Sequence, residues 1–584
     1  MCGIAGIYSP QLRSDPSAVE RMLTAMTHRG PDDRGIEVLA DGHLVFGHLR
    51  LSILDLSPLG HQPMRTPDGT TWIVYNGEVY NFREIRADLV SLGYTFRSDS
   101  DTEVILAAYQ AWGLDAVARF RGMFAFALWD GAKNQLHLCR DRFGVKPLYY
   151  ALAPGRLAFA SEMKGLIAGA CTARTVSPAS VSEFVQFGYV SAPRSIFSDV
   201  QTVEPGVIVT IAPDLSVSRR QYWSALGLYS SPDASALAQE LAGLPDEALL
   251  DRVEDSLQQA FAYRMVADVP VGVFLSGGID SSLVATLLAR RAGFRLKTFT
   301  IGFGASEFDE SEYAATVART LGTDHVPFTV SAQSMLDAAD EIVDIADEPI
   351  GDSSLIPTLV VSKLARQHVK VALSADGADE LFGGYARYAY CGNFLDRPRL
   401  LRSLYWLSGE VLDALPPGLI ARAYAAARGG GARYAAIGDK LRKFVRMTRA
   451  RSEFAAYEGA ISEWTEGQAR QLLAHPPAER SAASAAYRHS EIGSVRNRFM
   501  HFDLVRYLPG DLLVKVDRAS MSTSLEAREP FLDHEAARIA AALPMDWKIR
   551  GARNKYVLQM LLARYFPGDF FSRPKQGFSA PVAE

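Results

Sequence analysis

Residues 269–291, VPVGVFLSGGIDSSLVATLLARR, constrain the fold of this chain more than any other stretch. An apolar run ends at Leu275, a Gly-Gly turn follows, and a helical pattern continues to about Ala292. A buried strand that turns through glycines straight into a helix is half of a βαβ unit, and such units need a parallel sheet covered by crossover helices. The text downstream keeps that rhythm. Helical patterns near Glu310–Leu321 and Leu355–Gln367 alternate with strand patterns at Lys297–Gly302, Val326–Val330 and Val369–Leu373, and a helix over Asp251–Arg264 leads in. The expectation over 251–584 is an α/β doubly wound parallel-sheet domain with added helices.

The first 210 residues have another texture. Short β-like runs at Gly3–Tyr8, His43–Phe46, Thr71–Tyr75, Gly122–Trp129, Gln135–Arg140 and Leu157–Ala160 are separated by turn signals such as Asp41-Gly42, Asp68-Gly69 and Asp130-Gly131. Helical stretches near Asn81–Leu92 and Thr102–Trp112 sit among them. Strands paired by tight turns predict an antiparallel, layered α+β domain over 1–210. Residues 211–250 are Ser/Ala/Leu-rich without a strand pattern and read as a connection. Residues 390–500 are helical and Arg/Ala-rich, and read as solvated helix faces.

Charge excludes several function classes. With 61 basic and 66 acidic residues and a net charge of -5, the chain is not built as a general nucleic-acid or membrane-surface binder. No apolar run reaches the ~18 residues of a membrane span. Cys2, Cys139, Cys171 and Cys391 are too few and too scattered for a disulfide framework, and the N-terminus MCGIAGIYSP is no secretory signal. A cytoplasmic location is expected.

Two sets of residues carry chemistry. Cys2 follows the initiator methionine, so removal of Met1 gives a thiol beside a free α-amine that can act as its general base. A tetrahedral oxyanion formed by such a thiol needs preorganised donors. Asn76 and the Gly77 N–H, read as the end of a strand, supply two; an ordinary hairpin turn is the alternative. Arg50 suits a carboxylate clamp, and Asp101 suits an ammonium partner or a helix N-cap. In the second set, Ser276-Gly277-Gly278-Ile279-Asp280-Ser281-Ser282 suits a phosphate cradle of backbone N–H groups and hydroxyls, with Asp280 as an oxygen ligand for Mg²⁺; a Gly-rich turn with capping serines is the alternative. There is no G-x-x-x-x-G-K-[ST], so it is not a Walker loop. The strand ending at Leu373 runs into Ser374-Ala375-Asp376-Gly377-Ala378-Asp379-Glu380 on the same predicted sheet edge.

In order along the first 165 residues, MCGIAG, HRGPDDRG (28–35), GHLRLSILDL (47–56), YNGEVYNF (75–82), SDSDTEVI (98–105), FRGMFAFALWD (120–130) and RDRFGVKPLYY (140–150) resemble the class II, N-terminal-nucleophile glutamine amidotransferases. The resemblance implies an αββα sandwich, Cys2 as nucleophile, and Asn76 and Gly77 as the oxyanion hole. It also implies glutamine binding by Arg50, Leu51, Ser52, Ile53, Leu54, Glu78 and Asp101. The second half, through SGGIDSS, TFTIGF (298–303), DEPIGDSSLIPT (347–358), SADGADELFGGY (374–385), DLLVKVDRASMSTSLEAREPFLDH (511–534) and RPKQGF (573–578), resembles the synthetase domain of asparagine synthase, of the pyrophosphate-loop ATP enzymes. That implies ATP contacts at Leu275, Ser276, Gly277, Gly278, Asp280, Ser281, Ser282, Ile301, Ser374 and Ala375. It further implies Mg²⁺ at Asp280 and Asp379, and an acceptor site at Asp376, Glu380 and Lys575, with Lys515 and Lys555 as further candidates.

The function implied is glutamine-dependent synthesis of asparagine from aspartate and ATP, with small-molecule substrates, no nucleic acid or membrane partner, and room for a homodimer. A ligase acting on another carboxylate is the alternative. Asp376 and Ala375 stand where some members have glutamate and glycine, and the chain ends nine residues after Lys575, which reads as a short C-terminus.

Overall fold

The structure is a computed structural model that describes residues 2–302, 310–398, 400–403, 405, 442–474, 483–487, 491–568 and 570–571. Lys575 and residues 406–441 of the Arg/Ala-rich stretch therefore lie outside the described residues.

The first half contains β1 (Gly3–Tyr8), β2 (Asp33–Leu39), β3 (Leu44–Arg50), β4 (Met64–Arg65), β5 (Thr71–Val79), β6 (Gly122–Asp130), β7 (Gln135–Arg140), β8 (Tyr149–Ala153), β9 (Arg156–Ala160), β10 (Val200–Thr202), β11 (Val207–Ile211) and β12 (Val217–Gln221). They form two six-stranded sheets, ordered β10-β8-β9-β1-β3-β2 and β12-β11-β7-β6-β5-β4. Every residue of β1 is buried, because both of its faces are covered. Ile4 and Tyr8 point to the second sheet, against Val74, Ala125 and Leu138. Ala5 and Ile7 point the other way, to Val19, Met22 and Leu23 of the Pro16–Ala25 helix. The second sheet buries Tyr75, Phe124 and Phe126 under the Phe82–Ser91 and Asp101–Trp112 helices. Helix, sheet, sheet, helix is the expected αββα sandwich, and each large apolar side chain in it contributes ~1.5–3 kcal/mol.

Two local expectations change. Thr71–Tyr75 was read as a strand ending at Asn76-Gly77, but β5 runs on to Val79, with Asn76 opposite Ala125 and Gly77 opposite Phe124. Asn76-Gly77 is therefore not a hairpin turn. A Cβ at position 77 would lie 2.2 Å from the Met123 carbonyl oxygen, so the glycine is there for close approach. The strandless connection over 211–250 begins later, because β12 pairs with β11 over Val217–Gln221. Its text, VSRRQ, is an exposed polar edge strand with no apolar alternation to read. Helices at Gly227–Ser230 and Pro232–Ala242 then lead to Asp246–Tyr263.

The second half is built on β13 (Val271–Phe274), β14 (Lys297–Gly302), β15 (Asp324–Thr329), β16 (Val371–Leu373) and β17 (Glu526–Arg528). All neighbours are parallel, in the order β15-β14-β13-β16-β17. The chain enters at the centre, grows to one side and then crosses to the other. The switch point between β13 and β16 opens a crevice at the strand carboxyl ends. Leu257 and Phe261 of the Asp246–Tyr263 helix, Leu283 and Leu561 cover one face, while Leu359, Val361 and Ala365 of the Leu355–Arg366 helix cover the other.

The two halves dock through buried charge as well as apolar contact. Leu51 and Ile53 pack on Val371, and Asp268 N–H donates to Ile53 O at 2.9 Å. Arg121 forks onto Asp533 at 2.6 and 2.8 Å, and Arg264 binds the same carboxylate. Burial works to raise the Asp533 pKa, but the two guanidiniums more than offset it and hold it well below the usual range. Asp533 also caps the His534–Ala542 helix through Glu535 N and Ala536 N. Asp533→Ala would leave two buried cations without an anion, so stability should fall by about 3–5 kcal/mol in denaturant titration. Asp115→Ala, which breaks a solvent-exposed pair with Arg220, should leave the midpoint where it is.

Candidate active sites

Cys2 enters β1 nearly buried, and its backbone N–H donates to Asn76 Oδ1 at 2.9 Å. Asn76 comes from β5 of the facing sheet, so the two-sheet packing itself brings Cys2 and the amide together. The Asn76 amide is fully buried, and its Nδ2 has no acceptor among the described residues. A buried N–H pair without a partner costs about 1–3 kcal/mol, which a developing oxyanion would recover. Burial pushes the Cys2 thiol up, against the Leu51 N–H and the Arg50 charge, so a proton acceptor is needed. His48 does not serve. Burial lowers it to about 3, and the neutral ring donates from Nε2 to Tyr75 O at 3.1 Å. The α-amine of a processed Cys2 is the base that remains next to the thiol.

The glutamine-binding candidates sort into a wall and a lid. Asp101 is the first residue of its helix, not the cap: Ser100 caps, accepting from Thr102 N. Asp101 Oδ2 instead accepts from Tyr75 OH at 2.8 Å and Val79 N at 2.9 Å, and burial pushes its carboxyl up to about 6. Arg50 points at the loop that follows it, donating to Ser57 O at 3.0 Å, Leu54 O at 3.3 Å and Asp55 O. It thereby shapes the segment holding Leu51, Ser52, Ile53 and Leu54. Glu78 is buried 3.5 Å from Arg528 of β17, and burial together with Glu526 raises its pKa well above the carboxylate range. Gly77 follows Asn76 along β5.

The second set converges at the switch point. Leu275 directly follows β13, and the Ser276 hydroxyl bonds the Ser281 hydroxyl at 3.0 Å and accepts from Gly278 N at 3.2 Å. Gly277 takes φ +75° in this turn, and a Cβ there would meet the backbone of Ala314 at 2.7 Å. Ser282, in the first turn of the Ile279–Thr286 helix, has a buried hydroxyl without a partner among the described residues. Ile301 stands at the end of β14, and Ser374, Ala375 and Asp376 follow β16, with Ser374 N bonded to Arg528 O at 2.8 Å.

Asp280 and Asp379 meet on one cation. Lys555 Nζ lies 2.5 Å from Asp280 and 2.7 Å from Asp379, almost wholly buried. Burial acts to lower the Lys555 pKa, but the two carboxylates more than offset it and raise it. Asp280 Oδ1 has no partner among the described residues. Two carboxylates converging on a positive charge, with an oxygen to spare, fit a cation held jointly with phosphate oxygens. Among the described residues no three His, Cys, Asp or Glu side chains converge on a metal position. Glu380 is not brought to the open edge. It is fully buried, accepts Tyr385 OH at 2.8 Å, and burial pushes it up to about 8. Lys515 reaches Ser354 Oγ at 2.8 Å and Asp352 at 3.1 Å rather than the Asp280–Asp379 pair.

Sequence reasoning gave no role to Arg29, Asp517, Ser524, Glu526 or Arg528, which bind Cys2 or the residues around it. Arg29 donates from Nε to Cys2 O at 3.1 Å and forks onto Asp517 at 2.8 and 2.9 Å. Arg528 binds Glu526 at 2.6 Å. The motifs holding these residues were visible, but the partners are 488 positions apart for Arg29 and Asp517, and no local pattern reports such a pair.

The description Asparagine synthase fits residues 252–584, and Glutamine amidotransferase domain fits residues 1–223. The chain is similar to asparagine synthetase [glutamine-hydrolyzing] 1 of Bacillus subtilis, 33% identical over all of this chain and 87% of that protein. It is likewise similar to a putative asparagine synthetase [glutamine-hydrolyzing] of Mycobacterium tuberculosis, 36% identical over all of this chain and 88% of that protein. Amidase chry2 of Gibberella zeae is 27% identical over all of this chain and 89% of its own length.

Lys555→Met leaves two carboxylates facing each other without a cation. Its denaturation midpoint should drop by the equivalent of about 1–3 kcal/mol. Added MgCl₂ or MnCl₂ should restore part of the loss, with no such gain in the unaltered protein without nucleotide. A variant indifferent to divalent ions would show that Asp280 and Asp379 do not make a cation site.

Proposed function

The chain belongs to the asparagine synthase family, and on that premise we propose that it is a glutamine-dependent asparagine synthase. The observation that carries this reading is Asn76: one end of its buried amide fixes Cys2, and the other is a donor without a partner among the described residues. The Cys2 thiolate, its proton passed to the α-amine, attacks the glutamine side-chain amide. Asn76 Nδ2 and the Gly77 N–H receive the oxyanion, ammonia leaves, and water releases glutamate from the thioester. Asp101 pairs with the substrate α-ammonium, while Arg50 and the Leu51–Leu54 segment close over it. The oxyanion step accounts for about 10²–10³ in rate.

In the second half the 276–282 loop, Leu275, Ile301, Ser374 and Ala375 hold ATP. The aspartate carboxylate attacks the α-phosphorus, giving aspartyl-AMP and pyrophosphate, and ammonia then displaces AMP to give asparagine. Asp280 and Asp379 would hold Mg²⁺, whose chemistry is to neutralise the departing pyrophosphate. Asp376 and Lys575 are assigned to the acceptor side. We assign the glutaminase unit to the residues up to β12 and the synthetase unit to those from about 251. The four free, buried cysteines favour a reducing cytoplasm. Among the described residues no helix is long and apolar enough to cross a membrane. Sedimentation would separate a monomer from a homodimer.

A second reading, a ligase for another carboxylate, is favoured by Asp376 and Ala375 at the acceptor loop and by the likeness to an amidase. ATP–pyrophosphate exchange across a panel of acids decides between them. Exchange with aspartate supports the first reading; exchange with another acid and none with aspartate overturns it. Cys2→Ala should abolish glutamine-dependent synthesis and keep ammonia-dependent synthesis, whereas Asp280→Ala should lose both.

Acidity gives a further check. With Asp101 raised to about 6, the carboxyl is neutral below that pH and cannot pair with an ammonium. Glutaminase kcat/KM should therefore fall as pH drops through about 6. Asp101→Asn should be low throughout and flat across that range.

A further inference from the structure

We infer that Asp517, supplied by the synthetase half, is a positioning residue for the Cys2 nucleophile. The inference rests on the reading of Cys2 as the glutaminase nucleophile. Cys2 lies at the very start of β1, where a chain end frays unless it is tied down. Two bonds tie it. Its N–H reaches Asn76 Oδ1 at 2.9 Å, and its carbonyl accepts from Arg29 Nε at 3.1 Å.

The second bond is only as fixed as the guanidinium that makes it. Arg29 is fully buried, and its other two nitrogens are held from outside the Cys2 strand. Nη1 binds Glu162 at 2.6 Å and Asp517 Oδ2 at 2.8 Å, while Nη2 binds Asp517 Oδ1 at 2.9 Å. A guanidinium is a rigid planar fork, so clamping its far edge with a bidentate carboxylate sets the direction of Nε. Asp517 is itself steadied by Arg518 Nη1 at 2.7 Å. One residue before Arg29, the His28 carbonyl accepts from Ser524 Oγ at 2.6 Å. The 28–29 segment that grips Cys2 is therefore held at two points by residues 517–524 of the other half.

Asp517 faces away from the ATP loops. It sits on the Leu513–Met521 helix two residues after Lys515, a turn of ~200° about the axis. Lys515 bonds Asp352 and Ser354. One short helix thus presents Asp517 to the glutaminase pocket and Lys515 to the synthetase side. Losing the Asp517 charge should disturb the first reaction and spare the second.

The test is Asp517→Asn in the full chain, which keeps the shape and removes the charge and one acceptor. Glutaminase kcat should fall by about 10–100-fold, the range for a misplaced reacting group, with the glutamine KM little changed. Alkylation of Cys2 by iodoacetamide should slow in parallel. Ammonia-dependent synthesis and ATP–pyrophosphate exchange should stay within about twofold of the unaltered enzyme. Equal loss of both activities, or a rise in KM at constant kcat, would overturn the inference. If the amide variant does not accumulate, Asp517→Glu is read by the same ratios. Cys2→Ala separates the two readings. If it keeps glutaminase activity, the nucleophile assignment falls whatever Asp517 does. If it is inactive and Asp517→Asn is not, the Asp517 inference alone falls.

Discussion

A guanidinium taken out of water must find acceptors for its N–H groups, and here several find them in a carboxylate on the other half of the chain. Arg29 meets Asp517 and Arg121 meets Asp533, and Arg528 lies 3.5 Å from Glu78. The fully buried members of these pairs would each be costly alone, so the halves have essentially one register in which they fit. The apolar part of the seam, Leu51 and Ile53 on Val371, adds attraction without direction. A planar fork on a carboxylate adds the direction, and the geometry of the cysteine pocket inherits it.

This is also where the sequence is hardest to read. Gly3–Tyr8, Gln135–Arg140 and Lys297–Gly302 have the same bounds in the text and in the structure, because their apolar residues report burial directly. β17 has the text Glu-Ala-Arg and is nevertheless wholly buried. Arg528 binds Glu526 at 2.6 Å and the Arg264 and Val266 carbonyls, which composition cannot express. Asn76-Gly77 fails differently. The pair has the chemistry of a turn, and only the neighbouring β6 backbone at Met123 explains why a glycine sits inside a strand. Cys2, the 276–282 loop and the 374–380 loop could be picked out as candidates because each is compact in sequence. Arg29 was not, because half of its meaning lies in a helix near the other end of the chain.

The synthetase edge follows from topology more than from any single residue. Starting the sheet at its centre leaves β13 and β16 as neighbours with connections leaving in opposite directions, so the loops after them face one crevice. Asp280 comes from the first loop and Asp379 from the second, and two anions facing across that gap repel unless a cation stands between them. Lys555 supplies it from the N-terminus of the Tyr556–Ala563 helix, with φ +53°. A left-handed conformation in a non-glycine residue persists only where its surroundings fix it, and two ion pairs do so here.

One stretch of chain, residues 513–529, then closes both sites. Its helix gives Lys515 to the synthetase side and Asp517 to Arg29. The turn after it gives Ser524 to His28 O, and β17 gives Arg528 both to Glu78 and, through its carbonyl, to Ser374. The backbone of this stretch is common to both sites, while each side chain on it serves one of them, Asp517 toward Arg29 and Lys515 toward Asp352 and Ser354. The glutaminase pocket is therefore not a property of the first 220 residues alone. Its strands come from the sandwich, but the carboxylate that fixes the Arg29 fork on Cys2 O comes from a helix of the second half.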